Sequence, residues 1–343
     1  MLPYDTIMQL NKVVFALSSM AVYRALSTQK GEYLSGQELS RQLGISRAAV
    51  WKAVESLRKQ GYKIEACTGR GYRLVQDADL LTPRTVHHAL TIPRQNITVL
   101  DTVDSTNTAC KLLAMEGAED GTVVIADHQS AGRGRMGRSF QSPAGLGLYL
   151  SILWRPDCTP DQLMSLTALS AVAAGRAIQT VTGILPQIKW PNDLVLHGKK
   201  IAGILTEMGL EGETGHVDYA IVGIGINCHH TPADFADGVS DMASSLDELL
   251  HTYTNRALLA AALIEQLDFL RRSVIFSPQR WLTDYRENCL TLHKQVRIMQ
   301  TGETVLAVDV DSQYGLIVQH TDGTQETCRA GEVSVRGLYG YTE

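Results

Sequence analysis

Three arginines and three glycines alternate in one ten-residue stretch from Gln129 to Arg138, which reads Q-S-A-G-R-G-R-M-G-R. Glycine lets the backbone approach a ligand closely and take positive φ, while arginine presents a planar fork of donors suited to phosphate or carboxylate oxygens. Arg133, Arg135 and Arg138 set among Gly132, Gly134 and Gly137 therefore predict a mobile anion-binding loop. The same glycines satisfy G-x-G-x-x-G, with the acidic Asp157 downstream, but a dinucleotide fold needs a helix to open at the third glycine. The chain instead passes through Ser139-Phe140-Gln141-Ser142-Pro143 into the apolar run Leu148 to Trp154, a strand, which excludes that reading.

Three further stretches carry polar groups where a strand meets a turn, the usual place for ligand-binding residues. They are Asp104-Ser105-Thr106-Asn107, Lys189-Trp190-Pro191-Asn192-Asp193 and Gly223-Ile224-Gly225-Ile226-Asn227. Each alone has a structural explanation as a helix cap, a charge at a strand end or close strand packing. His87-His88 and Cys228-His229-His230 lack helical i, i+4 spacing and a second ligand pair, so no metal site is assigned.

The elements that must position these groups follow from periodicity and punctuation. Strands are expected at Ile97 to Leu100, Thr122 to Ala126, Leu148 to Trp154, Gln187 to Trp190, Asp193 to His197, Ile201 to Glu207 and Tyr219 to Ile226. Helices are expected at Asn107 to Met115, Leu163 to Val181, Arg256 to Arg272 and Gln279 to Asn288, giving a mixed α/β body over residues 83–289. Beyond it, five short runs (Gln295 to Met299, Thr304 to Val310, Leu316 to His320, Thr324 to Cys328, Glu332 to Val335) suggest a small β-barrel over 290–343.

Ahead of the body, Ser35-Gly36-Gln37-Glu38 reads as a capping box opening a helix that ends at Gly44. Ser46 caps a second helix from Arg47 to about Gln60, with Val50, Val54 and Leu57 on its core face. Lys63 to Ala66 and Gly71 to Leu74 then form a hairpin with Arg70 at its tip. This is a winged helix-turn-helix over residues 20–76, and Arg47, Ala48 and Lys52 occupy the part of the second helix that meets base edges, with Arg70 on the wing. A linker from Gln76 to Thr82 follows, closed by Pro83.

Charge supports that division. From Gly31 to Leu74 there are eight Lys/Arg against four Glu, a balance of +4, which leaves −9 elsewhere in a chain of net charge −5. A basic module on an acidic body points to nucleic acid. The 343 residues, 44% hydrophobic and 20% charged, provide two or three packed domains and exclude a disordered chain. Six cysteines without C-x-x-C or paired spacing imply reduced thiols in the cytoplasm. Residues 1–19 form an N-terminal extension whose apolar run, Val13 to Leu17, is too short to span a bilayer, and Met20 offers an alternative start.

The order D-S-T-N, G-R-G-R-x-G-R, K-W-P-N-D, K-x-A-G-I-L-x-E (Lys200 to Glu207) and G-I-G-I-N resembles biotin protein ligase, and the leading winged helix makes the chain similar to the bifunctional ligase and biotin operon repressors. The resemblance extends from about Met20 to Arg336 and implies an SH3-like C-terminal barrel. It implies ATP-dependent activation of biotin to biotinyl-AMP, with Mg²⁺ on the pyrophosphate, and transfer to a lysine of the biotin carboxyl carrier protein of acetyl-CoA carboxylase. It further implies that the adenylate-loaded homodimer represses from a palindromic operator, with no membrane partner.

By that resemblance Arg133, Arg135 and Lys189 are catalytic, and Ser105, Thr106, Gln129, Gly132 and Gly203 join them around biotin, with Trp190 walling the ring. Arg138, Phe140, Asn192, Asn227 and Arg336 fall on the nucleotide side. Phe140 departs from the pattern, since many relatives carry tryptophan there. Two other readings fit parts of this pattern: a lipoate-type ligase, and a sensing repressor without turnover.

Overall fold

The computed structural model describes residues 19–334 except 20, 30, 60, 77–78, 157–158, 161–164, 213–214, 274–277, 300 and 330–332. The expectations for the N-terminal extension, Asp157 and Arg336 thus lie outside the described residues, as does the expected helix start at Leu163. The chain divides into two compact units, one ending at Leu80 and the other beginning at Leu81.

In the first unit a helix over 21–28 (α1) precedes α2 (Gly36–Leu43), α3 (Arg47–Lys59), β1 (Lys63–Cys67) and β2 (Gly71–Gln76). Ser35 caps α2 by accepting from the Glu38 amide over 3.0 Å, and Gly44 ends it in the left-handed region. Only half of the expected capping box forms: the Glu38 carboxylate turns to Arg41 and Gln42 one turn on, where charged and amide donors outcompete a lone backbone N–H. Leu39, Val50, Ala53, Val54 and Leu57 are fully buried with Leu74 beside them, so the helix pair and the β1–β2 hairpin share one core. The hairpin pairs antiparallel around the Thr68-Gly69-Arg70 turn, the expected wing.

The second unit opens with α4 (Pro83–Ala89), capped by a reciprocal Thr82–Thr85 box. Pro83 therefore starts a helix, its fixed φ suiting the first helical position. Next come β3 (Ile97–Val103), α5 (Thr106–Met115), β4 (Val123–Gln129), β5 (Gly147–Trp154), α6 (Leu166–Thr182), β6 (Gln187–Lys189), β7 (Asp193–Leu196), β8 (Lys199–Leu210) and β9 (Val217–Asn227). The seven strands form one mixed sheet in the order β3-β4-β5-β9-β8-β7-β6, parallel only at β3–β4. Then follow α7 (Leu246–Leu250), α8 (Arg256–Ser273) and α9 (Pro278–Glu287).

Strand alternation sorts the two faces of the sheet. Val123, Ile125, Leu148, Leu150 and Ile152 join α6 and α8 in the main core, whereas Val124, Leu153 and Ile221 pack under Cys110 and Ala114 of α5. Among the described residues no helix is long and apolar enough to cross a membrane. The five described cysteines are in no disulfide.

The C-terminal strands β10 (Gln295–Ile298), β11 (Thr304–Val310), β12 (Leu316–Gln319), β13 (Gln325–Cys328) and β14 (Val333–Ser334) form an antiparallel sheet in the order β13-β12-β11-β10-β14. These strands fall where the small C-terminal β-domain was expected, and among the described residues the barrel is not closed. Closure requires the two edge strands to pair, and among the described residues β14 contributes two residues that pair with β10 alone.

A glycine-floored site beneath an arginine hairpin

The α5 side of the sheet carries the groups that the motifs single out. Cross-strand registers align Lys189 with Asp193, Asp193 with Gly203, Gly203 with Gly225 and Gly225 with Tyr149. Opposed residues project to the same face, so these five form one row across five strands. Ile188, one residue before Lys189, is buried in the opposite core, as alternation demands. A second row sets Leu205, Gly223 and Ser151 side by side.

The glycines in these rows make room for what lies above them. A Cβ on Gly223 would sit 2.1 Å from Asn107 Oδ1, and one on Gly225 would sit 2.5 Å from the Phe140 ring. Phe140 therefore rests on the bare backbone of Gly225, with its ring nearly perpendicular to that of Tyr149.

A connected polar network holds this floor to the loops. Ser151 Oγ, fully buried, lies 2.7 Å from Thr106 Oγ1 and 2.6 Å from Asn107 Oδ1. The Thr106 amide and hydroxyl both donate to Gln129 Oε1, and Gln129 Nε2 donates to Ser142 Oγ over 2.8 Å. Thr106 and Gln129 thus satisfy one another at the root of the arginine loop. Ser105 stands at the N-cap of α5, buried and without a side-chain capping bond.

The loop itself is a small hairpin: Phe140 N donates to Gly132 O, Gly134 N donates to Arg138 O, and Arg133 bridges to Ser139. Met136 and Gly137 turn its tip with positive φ. Gly132 has no room for a side chain between Phe140 O and Ser142 Oγ.

The arginines divide. Arg133 Nη2 donates to Thr108 Oγ1 over 3.0 Å and meets Glu207 Oε2 at 3.4 Å. Glu207 is in turn held by Asn107 Nδ2 at 2.6 Å. Arg135 Nη1 donates to Asn192 Oδ1 over 3.1 Å, and Asn192 Nδ2 donates to Ile204 O, which ties the hairpin to β8. Burial depresses the Arg135 pKa, and the nearby Asp193 carboxylate works against that shift. Arg138 is exposed near Arg135. Lys200 Nζ pairs with Asp193 Oδ1 at 2.6 Å beside Gly203.

Two expected residues have structural partners. Trp190 is buried with its indole N–H donating to Tyr314 O over 2.9 Å, so it braces the C-terminal sheet. Asn227 Nδ2 donates to Ser244 O, fastening the loop after β9. Three contributors escaped sequence reading. Ser151 is a lone hydroxyl inside an apolar strand, Glu207 stood only as the last letter of a motif, and Arg329 lines the cleft beside Arg135 with Tyr314 and Gly315.

In the first unit Arg47, Ala48 and Lys52 are exposed on the outer face of α3. Arg70 lies with its guanidinium 4.4 Å from the Tyr33 ring centroid, and Arg73 stacks on the same ring at 4.7 Å while pairing with Glu65.

The biotin/lipoate A/B protein ligase family model matches residues 99–227, and a helix-turn-helix domain model matches residues 19–73. The bifunctional ligase/repressor BirA of Bacillus subtilis is 42% identical over 235 residues, covering 68% of this chain and 72% of the relative. Its Escherichia coli counterpart is 31% identical over 313 residues, covering 89% and 94%. The biotin protein ligase of Aquifex aeolicus, solved with biotin and ATP, superposes with a TM-score of 0.60 at 27% identity, covering 71% of this chain and all of that one.

A mixed-sheet ligase body with a basic hairpin over a glycine floor, carried on a winged helix, defines a carboxylate-activating ligase joined to a DNA-binding module. The chain belongs to the bifunctional biotin ligase/repressor family.

Proposed function

We propose that biotin and ATP lie end to end over the row Lys189–Asp193–Gly203–Gly225–Tyr149, with Arg133, Arg135 and Lys189 drawing their two anions together. Biotin ligation and helix-turn-helix repression are the family's paired activities. What supports the finer reading is that row, which sets Lys189 in line with Asp193 and with the side-chain-free positions Gly203 and Gly225, beneath a hairpin bearing three arginines.

A biotin carboxylate oxygen attacks the α-phosphorus, the new O–P bond forms, and the bond to the β-phosphate oxygen breaks as pyrophosphate leaves. Charge builds on the phosphoryl oxygens, and preorganised cations there lower the barrier. Arg133 and Lys189 serve the carboxylate and reacting phosphate, while Arg135 holds the phosphate and the hairpin. Arg133 gives up Glu207 for the substrate carboxylate. Ser105, Thr106, Gln129 and the backbone at Gly132 and Gly203 meet the neutral ureido ring. Arg138, Phe140, Asn192, Asn227 and Arg336 serve the nucleotide, with Phe140 stacking on adenine.

Mg²⁺ arrives on the ATP phosphates. There it would be held mainly by phosphate oxygens and water.

In the second step a lysine amine of the carrier domain of acetyl-CoA carboxylase attacks the acyl carbon, AMP leaves and the amine's proton passes to solvent. Until then the adenylate is shielded beneath the closed hairpin. Such an ATP-dependent reaction belongs in the cytoplasm. The adenylate also favours a homodimer, which sets two winged helices on a palindromic operator in place of the carrier. Mass spectrometry of a reaction without acceptor tests the first step: biotinyl-AMP should accumulate on the protein, and its absence despite bound biotin contradicts the assignment.

A further inference from the structure

We infer that Trp51 reads a thymine methyl group in the major groove and is a specificity-determining residue of the winged helix. Trp51 is 55% exposed, unusual for the largest apolar side chain, on a helix whose core face is filled by Val50, Ala53, Val54 and Leu57 at 0% exposure. At 100° per residue Trp51 lies between Arg47 and Ala48 around the helix and one turn from each, so the three share the N-terminal outer face with Lys52.

The charges on α3 match duplex DNA. Its first turn holds no acidic residue, and Glu55, the one carboxylate further along, is paired with Arg58 at 2.7 Å. Arg58 is itself committed to Ile64 O on the wing. The outer face thus shows Arg47, Lys52 and Lys59 around one apolar surface. Phosphate contacts place such a helix but carry no sequence information; an apolar side chain within it reads the feature unique to thymine, its 5-methyl group.

The inference rests on the winged helix binding duplex DNA, and the experiment separates the two. Duplexes are selected from a random-sequence pool on the full chain with biotin and Mg-ATP, and each thymine of the winner is replaced in turn by deoxyuridine, which removes the methyl alone. The wild-type chain should lose roughly fourfold affinity at one thymine per half-site, the worth of one buried methyl. Trp51→Ala should bind the methylated and demethylated duplexes equally at that position, and Trp51→Phe should restore part of the difference. Because Trp51 is exposed, both variants should keep the wild-type melting temperature and adenylation rate.

Failure to select any duplex overturns the DNA reading itself. Methyl discrimination undiminished in Trp51→Ala overturns the Trp51 assignment, as does a uniform loss at every position. Impaired dimerisation of Trp51→Ala with intact discrimination assigns the face to a protein contact and likewise overturns it.

Discussion

Asn107 Nδ2 donates to Glu207 Oε2 over 2.6 Å, and the same carboxylate faces Arg133 at 3.4 Å. One amide at the start of α5 thereby sets the position of the anion that holds Arg133, the arginine proposed to act on the substrate carboxylate. Asn107→Asp would place a second carboxylate against Glu207 and Ser151 without changing size. We expect adenylation to fall by at least about tenfold from this like-charge contact. Pyrophosphate release with saturating biotin and ATP measures it, and an unchanged rate would separate the Asn107–Glu207 contact from the chemistry.

Lys189→Ala and Arg133→Ala should each slow adenylation by a factor on the order of 10² or more, as loss of one transition-state donor does. Their melting temperatures should stay near wild type. A near-normal rate in either variant moves the chemistry to other residues.

Gly225→Ala forces a methyl into the space of the Phe140 ring, 2.5 Å from its nearest carbon. Because Phe140 is assigned to the adenine side, KM for ATP should rise by roughly tenfold while KM for biotin moves less. Equal changes in both would show that the ring serves the whole floor.

His230 is 1% exposed and stacks on Phe235. Burial pushes its pKa down to about 4, opposed by Asp234. The folded chain then binds fewer protons than the unfolded chain between that value and the usual histidine pKa near 6.5. Stability is fully present above about pH 6.5 and is lost as pH falls toward 4, by about 3 kcal/mol in all. Denaturant melts at pH 7 and pH 5 should differ less in His230→Gln than in wild type; an unchanged difference would place the titrating group elsewhere.

Much of this architecture is legible in the sequence because its signals are local. Glycine and proline punctuate the strands, apolar runs identify β5 and β9, and Ser35, Gly44 and Ser46 bracket the helices of the DNA-binding unit. The candidate site's outline is drawn in the sequence by motifs that fall at strand ends. What is not legible depends on partners distant in the chain. Nothing near Ser151 announces Thr106 and Asn107, and nothing near Trp190 announces Tyr314. Whether Glu38 caps or pairs with Arg41 is a competition among donors of similar reach, and closure of the C-terminal sheet turns on how its edge strands pair. Helical spacing alone sets Trp51 off the Val50, Val54 and Leu57 stripe, but how much of its ring stays in solvent depends on the packed unit.

The most direct measurement is incorporation of labelled biotin into an apo carrier domain with Mg-ATP, run beside a lipoate control. Biotin-specific incorporation by the wild-type chain, lost in Lys189→Ala, is the predicted result. Tight biotin binding with no label on the carrier, or transfer of lipoate in preference to biotin, would contradict the assignment of this floor and its cations to biotin ligation.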